Sequence, residues 1–161
     1  MLAVLACLIA AAPAHAVGGD AEPASAVILS DTGDWVGQGK PEIFHSSTAA
    51  VGGGWRLEGV LSINADNRFT LEFSAPKGET LKPGVYEDAQ EVGFQDAGRP
   101  GLGVTGNGHG CNLIDGRFEV RELDVTPEGD IKRLWIVFEQ HCDGSLPAAY
   151  GEVRFGMPAA A

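Results

Sequence analysis

Positive charge is scarce in this chain. Its 161 residues include 11 Lys and Arg against 22 Asp and Glu, which gives a formal net charge of −11. Nucleic acids and anionic membranes are bound through clustered positive charge, so neither is expected as a partner. The balance is typical of a soluble protein outside the cytoplasm, or of one that binds cations or neutral sugars.

Sequence that favours helices is lacking too. With 23 Gly and no apolar stripe at helical spacing, long helices are not expected. Short β-type runs, among them one or two edge strands in AVILSD and DWVGQGK, alternate with Gly, Pro, Asn and Asp. We predict a single all-β domain over residues 26–158, an antiparallel β-sandwich, with a small β-barrel as the alternative.

No membrane span is expected either. The apolar stretch at residues 1–16 is too short to cross a bilayer, and no other segment is apolar enough. It ends in Ala14-His15-Ala16, the small-residue pattern that signal peptidase cuts. We therefore predict a signal peptide over 1–16, a flexible leader over 17–25, and a secreted or periplasmic protein.

One departure from the signal-peptide pattern is the absence of Lys and Arg before the apolar run. It leaves open a start further upstream. Cys7 follows Val4-Leu5-Ala6, which is similar to a lipoprotein signal, so lipidation is the alternative to cleavage after Ala16.

Cysteine is rare, and cleavage after Ala16 leaves only Cys111 and Cys142. An even pair in an exported chain predicts a disulfide. The alternative is a zinc site that adds His109 and His141. Structural zinc ligands prefer pairs separated by about two to four residues, whereas these pairs have one residue and none between them. Free thiols are the remaining alternative, and no cofactor is predicted.

The clearest strand pair is the segment WRLEGVLSINADNRFTLEFSAP. Apolar and polar residues alternate in it, which is typical of strands with one buried face. We predict a hairpin that turns through residues 64–67. Its apolar side carries Trp55, Leu57, Leu61, Ile63, Phe69, Leu71 and Phe73.

A second hairpin is predicted in RFEVRELDVTPEGDIKRLWIVFEQHC, with its turn at residues 126–130. A slip in the apolar parity predicts a bulge near Arg121-Glu122. The second strand is apolar on both faces. It is therefore a central strand, or one whose outer face is a binding surface.

The run Gly101–Gly106 matches the dinucleotide fingerprint G-x-G-x-x-G letter for letter. That motif needs a strand before it and a helix after it. Pro100 precedes it, and the glycine-rich residues 107–110 cannot open a helix, so we expect a loop and no dinucleotide. The chain also lacks G-x-S-x-G and H-E-x-x-H, and no catalytic residue is predicted.

A candidate ligand-binding face lies on the second strand of the second hairpin, at Arg133, Trp135, Glu139 and His141. On an exposed Trp135 a sugar ring can stack. Glu139 beside His141 is also the arrangement of a general base with its orienting group. The structural alternatives are a core tryptophan and a Glu–His pair that only bonds a neighbouring strand.

Four segments resemble a group of uncharacterised bacterial exported proteins. The resemblance covers about residues 30–157, implies export, a β-fold and paired cysteines, and transfers no catalytic role. It is carried by Gly33–Gly39 (GDWVGQG), Leu81–Tyr86 (LKPGVY), Pro100-Gly101-Leu102 leading to Gly110-Cys111-Asn112, and Phe138–Gly144 (FEQHCDG).

We therefore expect an exported binding or surface-associated module without enzymatic activity, whose partner is a glycan or another exported protein. One alternative is a hydrolase or metal-dependent enzyme that uses Glu139, His141 and His109. The other is a structural accessory domain with no small ligand.

Overall fold

The computed structural model describes residues 24–156. The predicted signal peptide, residues 17–23 of the predicted leader and the alternative at Cys7 lie outside this range. Among residues 24–156, no helix is long and apolar enough to cross a membrane.

The described residues form ten strands and one 3-10 turn at Leu57–Gly59. All ten strands belong to one sheet, in the order β2-β1-β10-β9-β8-β6-β7-β5-β4-β3. They are β1 (Ser25–Ser30), β2 (Glu42–His45), β3 (Val51–Trp55), β4 (Leu61–Ala65), β5 (Phe69–Ser74), β6 (Gly84–Glu91), β7 (Gly101–Gly106), β8 (Ile114–Val125), β9 (Ile131–Cys142) and β10 (Ala148–Phe155). The all-β prediction is confirmed. Because this single sheet nearly closes, the small barrel predicted as the alternative is the architecture that fits.

One hydrophobic core fills the interior of the sheet. Alternate residues of β4, β5 and β9 point inward and are buried: Leu61, Ile63, Ala65, Phe69, Leu71, Phe73, Leu134, Ile136 and Phe138. The ring of Phe73 lies 5.3 Å from that of Phe118 and 6.1 Å from that of Phe138. Burial of a large apolar side chain contributes about 1.5–3 kcal/mol, so this alternation favours closure of the sheet.

The first predicted hairpin is β4–β5, with one correction. Its turn residues Asp66 and Asn67 both have a left-handed φ of 55°. The predicted extension of the apolar side through Leu57 is wrong, whereas Trp55 lies opposite Leu61 and packs, partly buried, against the core. Trp55 ends β3, and Leu57 lies 89% exposed in the 3-10 turn that separates β3 from β4.

The second predicted hairpin is β8–β9, connected by residues 126–130 as expected. The register shifts between Val120 and Glu122, so the predicted bulge is confirmed. Strand β9 lies between β8 and β10 and is central in the sheet.

The segment Gly101–Gly106, predicted to be a loop, is strand β7. Glycine allows the close packing of this strand, since a Cβ on Gly106 would lie 2.0 Å from a ring carbon of Phe69. Residues 107–110, which follow it, form a turn and no helix, as expected.

Of the two segments predicted as edge strands, AVILSD is β1 but lies between β2 and β10, and DWVGQGK forms consecutive turns. The carboxylate of Asp34 closes them. Its Oδ2 accepts hydrogen bonds from the N–H of Gly37 (2.6 Å) and the hydroxyl of Ser30 (2.8 Å). Residues with such side chains favour turns for this reason.

Strand β6 joins the two halves of the sheet. It is antiparallel to β8 and then pairs in parallel with β7 at Gln90 and Glu91. Farther along β7, the backbone of Val104 is bonded by the side chain of Gln140 from β9. The N–H of Val104 donates to Oε1 (2.7 Å), and Nε2 donates to the carbonyl oxygen of Val104 (2.9 Å). This amide is 1% exposed and links two strands that are not neighbours.

Candidate functional site

The motif FEQHCDG ends strand β9 and divides its side chains between two faces. Gln140 and Cys142 point into the core, whereas Glu139 and His141 lie on the outer face. Cys142 forms a disulfide with Cys111, with the two Cα atoms 5.1 Å apart. Nε2 of Gln140 lies 3.3 Å from Sγ of Cys111. The disulfide therefore ties the loop after β7 to the end of β9.

An open groove of about 860 Å³ lies on the outer face of β6, β8, β9 and β10. Its exposed apolar and aromatic side chains come from Val85, Leu146 and Tyr150. Its ionisable side chains, other than that of Tyr150, are Asp31, Glu87, Arg117, Glu119, Arg121, Glu139 and His141.

Glu139 lies at the centre of this groove because of the strand register. Its Cα pairs with Arg117 on β8 and with Tyr150 on β10. Nε and Nη2 of Arg117 donate to Oε2 of Glu139 at 3.1 and 2.9 Å. Nε2 of His141 lies 3.2 Å from Oε1. Both carboxylate oxygens are thus occupied by cationic or polar neighbours.

These contacts set the electrostatics of the groove. Hydrogen bonding from Arg117 and then from His141 lowers the pKa of Glu139, against the opposing effect of burial. Glu139 in turn raises the pKa of Arg117. Because its pKa is lowered in the folded protein, ionised Glu139 stabilises the folded state. This contribution to the free energy of unfolding is fully present above the usual pKa of glutamate and is lost as the pH falls through the lowered pKa. The contribution is small because the pair is open to solvent.

Replacing Arg117 with alanine is expected to raise the pKa of Glu139, because the largest cause of its lowering is removed. The measurement is an NMR titration of the side-chain carboxyl carbons of the native and variant proteins. Arg56→Ala is the matched control, since it removes the partner of Glu72 outside the groove. An unchanged titration of Glu139 in Arg117→Ala would contradict the assigned pairing.

The predicted binding face is divided by the structure. Glu139 and His141 line the groove, whereas Arg133 and Trp135 do not. Arg133 forms ion pairs with Glu122 (2.8 Å) and Asp124 (3.3 Å).

The indole of Trp135 is half-buried and engaged by other side chains. The guanidinium carbons of Arg121 and Arg154 lie 4.7 and 4.2 Å from the centre of its ring. Its Nε1 donates to Glu152 at 3.0 Å. Cation–π contacts therefore occupy the ring that was the candidate stacking surface for a sugar.

His109 is not in contact with Glu139 or His141. Its Nε2 lies 3.1 Å from Nε2 of Gln38, and its ring packs edge-on against Trp35. In the part of the chain that the structure describes, no group of three or more His, Cys, Asp or Glu side chains is arranged to hold a metal ion.

Three residues that matter here were not predicted from the sequence: Arg117, Tyr150 and Gln140. The first two come from β8 and β10, and only the strand register places them beside Glu139. A signal for Gln140 was present, since it occupies the inward parity of Leu134, Ile136 and Phe138. A polar residue at such a position indicates a buried hydrogen bond.

The fold and this site define a disulfide-linked, ten-stranded β-domain with a groove on the outer face of its sheet. No protein-family model, curated protein or solved structure gives a significant match to this chain.

Proposed function

We propose that this chain is an exported, non-enzymatic binding module, and that its outer groove holds a polypeptide segment of another exported protein. The observation that carries the proposal is the combination in one groove of exposed apolar side chains with the Arg117–Glu139–His141 cluster. The disulfide supports a location in an oxidising compartment, where such bonds persist.

The rim of the groove has the composition of a protein interface. Leu146 is 89% exposed, and Val85 and Tyr150 are exposed as well. Apolar and aromatic side chains around an arginine are enriched in interface cores and among the residues that dominate binding energy. Such exposed apolar groups in a concave surface favour a partner that covers them.

The charge of the groove indicates the chemistry of that partner. Four carboxylates, those of Asp31, Glu87, Glu119 and Glu139, face two guanidiniums, and the chain as a whole carries a net charge of −11. Complementary charge favours a segment with Lys or Arg beside apolar residues.

The same groove is poorly suited to catalysis. Its lining contains no Ser, Thr, Cys or Lys to act as a nucleophile. The lowered pKa of Glu139 makes its carboxylate a weak base, and it remains ionised and unable to act as an acid. The second imidazole nitrogen of His141, Nδ1, is buried and has no hydrogen-bond partner among the described residues. Only Nε2 of His141, which already contacts Glu139, is left to face the groove.

A random peptide library displayed on phage and selected on the oxidised protein tests this function. We expect enrichment of segments with Lys or Arg next to apolar residues, and at least a tenfold loss of affinity in Leu146→Ser and Tyr150→Ala, because truncating interface anchors costs about 1–2 kcal/mol or more. The matched control is Leu57→Ser, since Leu57 and Leu146 are both 89% exposed and Leu57 lies outside the groove. Selected peptides that bind Leu146→Ser and Tyr150→Ala as tightly as the native protein would contradict the proposal.

A further inference from the structure

We propose a second ligand site, for the ring of an uncharged sugar, at the cluster formed by Trp35, Gln38 and His109. The three side chains come from two loops that are far apart in the chain. Trp35 and Gln38 belong to the turns between β1 and β2, and His109 belongs to the loop after β7. The site is separate from the groove, because none of the three lines it.

Trp35 presents an indole ring that is exposed and yet fixed in position. The side chain is 54% exposed. Its Nε1 donates to the carbonyl oxygen of Gly110 at 3.0 Å, and the ring of His109 meets it edge-on with centroids 4.6 Å apart. An aromatic ring that is held rigidly in solvent loses little conformational entropy when a ligand stacks on it.

The loop that carries Trp35 is itself tightly built. Val36, the next residue, is fully buried and anchors the loop to the core beside Trp35. The hydroxyl of Ser30 accepts from the N–H of Gly39 at 2.8 Å and donates to Asp34, whose carboxylate also accepts from Gly37. The opposite loop is anchored by the disulfide at Cys111, two residues after His109. Both walls of the cluster are therefore preorganised.

The polar groups beside the indole are the amide of Gln38 and the imidazole of His109. Gln38 is exposed, and the contact of its Nε2 with Nε2 of His109 uses the amide as a donor and the imidazole as an acceptor. The carbonyl oxygen of Gln38 and its second N–H are suited to ligand hydroxyls. Within residues 24–156, no carboxylate, ammonium or guanidinium forms a hydrogen bond or an ion pair with these three side chains.

This combination selects the ligand class. A pyranose ring has an apolar face of C–H groups that packs on an indole, and a rim of hydroxyls that pairs with the exposed amide of Gln38. A charged sugar would gain no ion pair from these three side chains, and an acidic one would also be repelled by the net charge of −11. A purely apolar ligand would cover the carbonyl oxygen and the second N–H of Gln38 without replacing their hydrogen bonds to water. The cluster therefore fits a neutral hexose unit.

The test is titration of the oxidised protein with three neutral tetrasaccharides, of β-linked glucose, α-linked glucose and β-linked mannose. Isothermal calorimetry and indole fluorescence are the readouts. We expect at least one to bind, with Trp35→Ala lowering the affinity about tenfold or more and Gln38→Ala lowering it by about threefold or more. Trp35→Phe, which keeps a stacking ring without the Nε1 donor, is expected to retain more affinity than Trp35→Ala.

Phe94→Ala is the matched control, because Phe94 is 80% exposed and is not part of the cluster. Gln38→Ala changes one exposed side chain, so it tests the site even where Trp35→Ala loosens the loop. Three outcomes would overturn the proposal: no binding of any of the three tetrasaccharides, affinity that is unchanged in both Trp35→Ala and Gln38→Ala, or binding only of an anionic oligosaccharide such as oligogalacturonate. None of these outcomes bears on the peptide groove.

Discussion

Replacing Gln140 with leucine is expected to lower the free energy of unfolding by about 2–5 kcal/mol, because it leaves two buried backbone groups without partners. These groups are the N–H and the carbonyl of Val104, which bond the amide of Gln140 at 2.7 and 2.9 Å. Leucine has nearly the volume of glutamine, so the loss comes from hydrogen bonding and not from a cavity.

Urea unfolding of the native and Gln140→Leu proteins measures this effect, and hydrogen exchange of the Val104 amide reports it locally. The matched control is Gln90→Leu, since the amide of Gln90 bonds Asp96 in an exposed turn. Gln90→Leu is expected to lower the free energy of unfolding by less than about 1 kcal/mol. A Gln140→Leu protein that loses no more stability than Gln90→Leu would show that the link between β9 and β7 is dispensable.

Removing the disulfide with Cys111→Ala and Cys142→Ala together is expected to lower the free energy of unfolding by about 3–4 kcal/mol. The bond joins positions 31 residues apart, so its loss gives the unfolded chain a large gain in conformational entropy. It joins the loop between β7 and β8 to the end of β9, next to the pairing of Ile114 with Cys142.

The measurement is guanidinium unfolding of the oxidised native protein, the reduced native protein and the double alanine variant. Reduced native protein and the variant are expected to unfold at similar denaturant concentrations, both well below the oxidised protein. A difference of less than about 1 kcal/mol between oxidised protein and variant would contradict a stabilising role for the bond.

The β8–β9 hairpin shows which structural features the local sequence pattern predicts. Its turn at residues 126–130, its bulge at Val120–Glu122 and the two faces of β9 were all predicted from alternation and turn residues. These features depend on neighbours within the same segment, so the alternation of side chains along a strand is enough to predict them from the sequence. Gly101–Gly106 shows the opposite case. Its glycines indicate a loop locally, and only close approaches in the folded sheet, of Phe69 to Gly106 and of Ser74 to Gly101, favour glycine in this strand.

The candidate site follows the same division. The outward direction of Glu139 and His141 was readable from parity, but the selection of Arg117 and Tyr150 as their neighbours required the register of three strands. The contact of Trp35 with Gly110 spans 75 residues and has no local signal at all.

The sequence by itself determined the all-β class, both hairpins and the facing of each side chain on β9, because these depend on local alternation and on turn residues. The tertiary structure alone decided the closing of one sheet instead of two, the parallel step from β6 to β7, and the bridging role of Gln140. It also decided the assembly of the groove and of the Trp35 cluster. The physical reason is that the pairing of strands depends on the free energy of the whole packed sheet, to which cross-strand contacts between distant residues contribute. A short segment carries no information about these contacts, so its sequence alone cannot predict its partner strand.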